Sequence, residues 1–398
     1  MPQTYTIIGG GIVGLATAYQ LLEARPDLNI TVLEKEPEVA MHQTSHNSGV
    51  IHSGIYYRPG SAKALNCLRG YDMMIRFCET YGIPYKICGK VIVAAKKSEL
   101  EGLKKIYDRG IQNGMSGLKL LGPDELREKE PHADGIQSIW VPQAGIINYK
   151  LVALQLKKNI EKLGGKVKCG VQVEGIHSLN KGWVIRSDQD EYQSDYIITC
   201  GGLHSDRLAR MTDSNYDLKI LPFRGEYYTV RPESQHLVKT LIYPVPNPNF
   251  PFLGVHFTSM VQGGVEAGPN AVWALGREAY NWKTFNWNDT RESLAYPGFR
   301  KLVAKYWKDG LFEMYRSFSK AAFVKALQTL VPAIQSEDLK PGGSGVRAQA
   351  VDREGNLVED FLFREGKQIL HVVNAPSPAA TSSLSIGKTI ADKVLSRQ

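Results

Sequence analysis

The apolar and polar positions of residues 5–22, "YTIIGGGIVGLATAYQLL", run as a short β-branched stretch, a cluster of glycines and a longer apolar stretch. That order predicts a strand, a tight turn and a helix. A second β-branched run, "ITVLE", predicts another strand ending at Glu34. Residues 194–211, "SDYIITCGGLHSDRLARM", again read as a buried strand, a Gly-Gly turn and a helix. Near the other end, Ile369 to Val373 predict a strand, followed by a loop of small residues and a closing helix. Residues 216–275 differ: the aromatic runs "LPFRGEYYTVRPE", "FPFLGVHFTS" and "AVWALGR", broken by Pro and Gly, predict an antiparallel sheet. In "FLGVHFT" the alternation sends Leu253, Val255 and Phe257 to one face and Gly254, His256 and Thr258 to the other. The stretch "YPVPNPNFP" reads as a shaped loop.

Gly9, Gly11 and Gly14 have the spacing G-x-G-x-x-G between the first strand and its helix. Gly9 suits the tight turn, Gly11 the close approach of a pyrophosphate, and Gly14 close packing of helix on strand, with the phosphates at the helix N-terminus. Glu34, twenty positions after Gly14, is placed to accept from an adenosine ribose. The pattern predicts a dinucleotide site and is open between NAD and FAD. The expected fold is α/β, or α+β overall: a Rossmann-like cofactor-binding part from residues 1–85, 145–215 and 335–398, and a mainly antiparallel substrate part from 86–144 and 216–334. The motif at the start of the chain and the Ser/Ala/Pro-rich loop before the last helix, a place for backbone N–H groups to meet a flavin edge, favour FAD.

With 43% hydrophobic and 22% charged residues in 398, the composition is that of a folded globular chain large enough to bury such a cofactor. The formal charge of +8 is compatible with an acidic substrate, an anionic membrane surface, nucleic acid or merely a solvated surface. Five cysteines without a C-x-x-C suggest neither a disulfide framework nor a zinc site, so no metal is expected and a reducing cytoplasm fits. "MPQTYT" carries no Lys or Arg, and the apolar run after it is rich in glycine, which argues against a signal or membrane helix.

The segments "VLEKE", "HQTSHNSGVIHSGIYY", "TCGGLHSD", "LPFRGEYY", "LIYPVPNPNFPFLGVHF", "GPNAV", "GVRAQAVDREGNLVEDF" and "HVVNAPSPAATSS" span nearly the whole chain. Together they closely resemble the L-2-hydroxyglutarate dehydrogenase and oxidase family, a branch of the D-amino-acid-oxidase-like flavoproteins. The resemblance implies an FAD enzyme that oxidises L-2-hydroxyglutarate to 2-oxoglutarate by hydride transfer to flavin N5 and passes electrons to quinone or oxygen. It implies that Thr44, Ser45, Asn47, Ser48 and Gly49 run along the cofactor and that His52 reaches the flavin. Lys35, Val173, Gly201, Pro376 and Ala379 are further expected cofactor neighbours. Ser53-Gly54 after His52 is closer to the pattern of relatives that hold the flavin noncovalently. His46 is expected to satisfy loop hydrogen bonds.

Such a reaction needs a cation for the carboxylate and a base for the hydroxyl proton. Arg347 is the first candidate for the cation, with a structural ion pair to Asp352 or Glu354 as its other reading. Arg224 is a candidate for the distal carboxylate. His256 is the first candidate base and His52 the second, because a neutral imidazole accepts a proton near neutral pH. His371 is read as structural, and Tyr57 and Tyr227 as substrate contacts. Two alternatives remain at this point: an amine or amino-acid oxidase on the same scaffold, and a basic flavoprotein that binds RNA, although no nucleic acid is expected. Residues 282–325 interleave Trp282, Phe285, Trp287, Tyr296, Phe299, Tyr306 and Trp307 with Arg300, Lys301, Lys305 and Lys308. They form either a core with a solvated basic face or a surface for anionic lipid, the latter suggesting a cytoplasmic protein peripheral to the inner membrane.

Overall fold

The computed structural model describes residues 2–247 and 254–397. Leu253 and the second part of the Pro/Asn-rich loop, residues 248–251, therefore lie outside the described residues. The strands predicted at the two ends of the chain meet in a six-stranded sheet. Its order is Leu362–Gly366, Ile369–Asn374, Tyr196–Thr199, Thr4–Ile8, Asn29–Glu34 and Lys166–Cys169. All neighbours are parallel except the antiparallel edge pair at Leu362–Gly366. Ile7, Ile30, Val32 and Ile198 are fully buried in it, beneath Leu15 and Leu21 of the helix Ile12–Ala24 and Ile390 of the helix Ser383–Leu395. The two helices touch where Gly387 sits: a Cβ there would stand 2.6 Å from the backbone carbon of Ala16. This is the Rossmann-like half.

A nine-stranded sheet carries Lys90–Ala94, Gln137–Val141 and the aromatic strands that begin with Lys219–Val230. The segments 86–144 and 216–334 thus share one sheet. The strand Leu339–Val351 departs from the expected division, because it pairs antiparallel with Lys219–Val230 along nearly its whole length and so belongs to the large sheet. Its "KPGGSG" start has little strand propensity of its own; the long partner strand supplies the pairing that makes it one.

Helices occupy residues 287–327, and the longest, Pro297–Phe318, splits the aromatic residues into two groups. Tyr296 and Phe299 are buried with Leu221 and Val351. Trp287, Trp307 and Phe318 are 64%, 52% and 68% exposed. Along the outer side of the helix Val303, Trp307, Leu311, Tyr315 and Phe318 recur every three or four residues, so an apolar stripe faces solvent although helical geometry breaks at Tyr306. Among the described residues no helix is long and apolar enough to cross a membrane.

Candidate active site

A cavity of about 640 Å³ begins at Gly9 and Gly11, passes Glu34, and ends beside His52, Tyr227, Arg347 and Ser377. At its first end, Gly9 has φ +115° and a Cβ there would lie 2.4 Å from the Cys200 carbonyl, so only glycine makes this turn. At Gly11 a Cβ would meet nothing closer than Thr44 Oγ1 at 3.6 Å, on the cavity side. The helix it caps has no acidic residue in its first turn, and one early N–H, that of Ile12, donates to Thr44 Oγ1 at 3.1 Å. An elongated cavity with this anion-accepting end fits a dinucleotide. The Glu34 carboxylate accepts from the N–H groups of Gly10 (2.6 Å) and Glu36 (2.9 Å), which fixes it at the cavity wall with lone pairs left over for a ribose.

The other expected cofactor neighbours divide. Lys35, Thr44, Asn47, Ser48, Val173, Gly201 and Ala379 line the cavity. Gly14, Ser45, Gly49 and Pro376 do not. Gly14 packs on the carbonyl of Gly9, Ser45 Oγ donates to the carbonyl of Ala40, Gly49 crosses the carbonyl of Ile147 with φ +62°, and Pro376 accepts from the N–H of Ala379. Each shapes a turn whose neighbours reach the cavity. His46 bonds the carbonyl of His42 at 3.0 Å and stacks on Tyr280, as expected of a loop residue.

His52 is held by its backbone: its N–H donates to Thr381 Oγ1 at 3.0 Å and its carbonyl accepts from Cys67 at 3.4 Å. Its ring lines the cavity with Nε2 3.3 Å from Ser377 Oγ. Burial, then the charges of Lys90, His256, Lys63 and Arg347, bring its pKa down to about 3. His256 sits behind the wall, 5% exposed, stacked 3.9 Å from Tyr243, with Nδ1 on the Gly254 carbonyl and Nε2 without a partner. Burial lowers it to about 4. Of the two candidate bases, His52 reaches the cavity and His256 lies behind its wall. His371 is structural, bonded to Thr199 and Thr212 at 2.9 Å each.

Arg347 lies deep in the protein yet opens onto the cavity beside Tyr227 and Tyr57. Its pairing with Asp352 does not form; that carboxylate binds the backbone N–H and side-chain amide of Asn356. Arg224 also lines the cavity, from another side. In the pairing of Lys219–Val230 with Leu339–Val351, Phe223 stands opposite Arg347 and Arg224 opposite Val346, so the two arginines project from opposite faces. Arg224 is buried, pairs with Glu226 at 3.1 Å and stacks 4.1 Å from the Trp282 ring. Among the residues that composition and spacing did not single out, Ser377 lines the cavity, and the charges of Lys90 and Lys63 reach His52 from behind its wall. The signal for Lys90 was a lysine inside the apolar run "KVIVAA".

The fold and the cavity define a flavin-dependent oxidoreductase. Residues 4–393 match the model of the FAD dependent oxidoreductase family. The chain is 52% identical to the L-2-hydroxyglutarate dehydrogenase of Indibacter alkaliphilus over 98% of both chains. It is 44% identical to that of Escherichia coli over 98% of this chain and 92% of the other. It is 45% identical to the human mitochondrial enzyme over 98% and 88%. Among solved structures, FAD-bound L-alpha-glycerophosphate oxidase from Mycoplasma pneumoniae shares the fold with a TM-score of 0.80 at 20% identity, over 99% of this chain and 95% of that one. The chain belongs to the L-2-hydroxyglutarate dehydrogenase family of FAD-dependent oxidoreductases.

Proposed function

We propose that this protein oxidises L-2-hydroxyglutarate to 2-oxoglutarate. The observation that carries this reading is the convergence of Arg347, Lys90 and Lys63 on His52: a site with excess positive charge suits a dianion and opposes the cationic ammonium of an amine substrate. FAD, held noncovalently, supplies the hydride acceptor when bound. Arg347 binds the carboxylate next to the reacting carbon in bidentate fashion. His52 takes the hydroxyl proton at Nε2, and Ser377, 3.3 Å away, keeps that nitrogen oriented. Anaerobic addition of L-2-hydroxyglutarate to the yellow holoprotein should bleach the flavin absorbance and the D form should not. No bleaching by either removes this substrate. Acid precipitation of the same protein should leave the flavin in the supernatant.

The electron acceptor we favour is a membrane quinone, reached from a peripheral position on an anionic bilayer. Support comes from the exposed stripe from Val303 to Phe318 together with exposed Arg300, Lys301, Lys305 and Lys308, a combination suited to the headgroup zone. The holoprotein should float with vesicles containing phosphatidylglycerol at low salt and leave them at high salt. Equal recovery with neutral vesicles, or no flotation, would favour a soluble protein that uses oxygen.

A further inference from the structure

Lys90 lies within a strand of the large sheet and is 1% exposed. Its ammonium stands 4.5 Å from the ring centre of Tyr56 and 4.9 Å from that of Tyr243. Among the described residues no carboxylate pairs with it; the only opposing group is the thiol of Cys67, which burial pushes up to about 12 and so keeps neutral. The other cations here are compensated differently: Lys63 has Asp360 and Glu359 near it, and Arg224 has Glu226. Beside Lys90, Tyr56 Oη and His256 Nε2 are buried without hydrogen-bond partners. A lone ammonium in such surroundings is costly, and unsatisfied polar atoms next to it are the mark of a subsite completed by a ligand. Its charge reaches both His52 and His256, as does that of Arg347, although Lys90 itself stands behind the wall of the cavity that Arg347 lines.

We propose that Lys90 is the counter-ion for the carboxylate at the far end of the substrate, and that it makes this site select a 2-hydroxy dicarboxylate over a 2-hydroxy monocarboxylate. The proposal rests on the dicarboxylic reading of the substrate. The aromatic walls of Tyr56 and Tyr243 hold the ammonium when no anion is present and exclude water when one is.

The test is a titration of the oxidised holoprotein with glutarate and with valerate, which differ only in a terminal carboxylate against a methyl group, followed by the flavin spectrum. Glutarate should bind on the order of 100-fold more tightly. Lys90→Met should abolish that preference with FAD content unchanged, whereas Lys90→Arg should keep most of it. In turnover, Lys90→Met should lose kcat/KM for L-2-hydroxyglutarate but not for L-2-hydroxyvalerate. A Lys90→Met protein that still prefers glutarate, or that weakens both ligands equally, overturns the proposal. So does a wild-type protein that binds the two alike, a result that needs no variant. Failure of L-2-hydroxyglutarate to bleach the wild-type flavin would instead remove the named substrate, while the titration still reports on Lys90.

Discussion

His52→Asn should slow anaerobic flavin reduction by L-2-hydroxyglutarate about 10²- to 10⁴-fold, the range associated with loss of a positioned general base. Asparagine keeps a polar group near Ser377 and leaves untouched the backbone bonds to Thr381 and Cys67, so FAD content should hold. His256→Asn should cost less, because that ring lies behind the cavity wall. The ratio of the two effects, measured by stopped flow at saturating substrate, is the deciding quantity; a larger loss at His256 would return it to the role of base. The pH dependence follows from sign. Burial first, and then neighbouring cations, depress the His52 pKa to about 3, so its ring stays neutral well below the ordinary imidazole range. The acid limb of kcat/KM should therefore lie below that range. A substrate dianion paired with Arg347 and Lys90 cancels part of the positive field and makes the imidazole a better proton acceptor once substrate is bound.

The cofactor end of the cavity was legible because it is local in sequence. Gly9, Gly11 and Glu34 lie within one strand-helix-strand unit, and their spacing follows from the geometry of that unit alone. The substrate end is assembled from residues near 52, 90, 256, 347 and 377, and no periodicity relates them. Arg224 shows the limit most clearly. Its strand was readable, but which face it presents depends on register with Leu339–Val351, a segment more than a hundred residues away whose strand character comes from that same pairing. Lys90 was hidden differently: a lysine amid valine and isoleucine reads as an edge residue until the fold buries it beneath two tyrosines. The exposed aromatics of Pro297–Phe318 were visible in composition, but their separation from the buried Tyr296 and Phe299 required knowing how that helix packs.

Arg347→Ala should weaken substrate capture by about 2–5 kcal/mol, roughly one and a half to three and a half orders of magnitude in kcat/KM, the cost of truncating one partner of a buried, hydrogen-bonded charge pair. The guanidinium is well suited to this role. It projects from the same sheet face as Phe223, opens onto the cavity, and remains charged although burial lowers its pKa, since arginine starts far above neutrality. Tyr57 and Tyr227 flank it, and Asp352, the nearby acid in the following turn, is engaged by Asn356. Arg347→Lys should recover only part of the loss, because one ammonium keeps the charge but not the two parallel hydrogen bonds that hold the carboxylate in register with the hydride acceptor. The split between binding and rate discriminates further: Arg347→Ala should raise the apparent Kd for glutarate, whereas Arg347→Lys should bind glutarate nearly as well and reduce more slowly. Wild-type reduction kinetics in the alanine variant, at concentrations that do not saturate the wild type, would place the substrate carboxylate elsewhere and leave Arg347 as part of the scaffold.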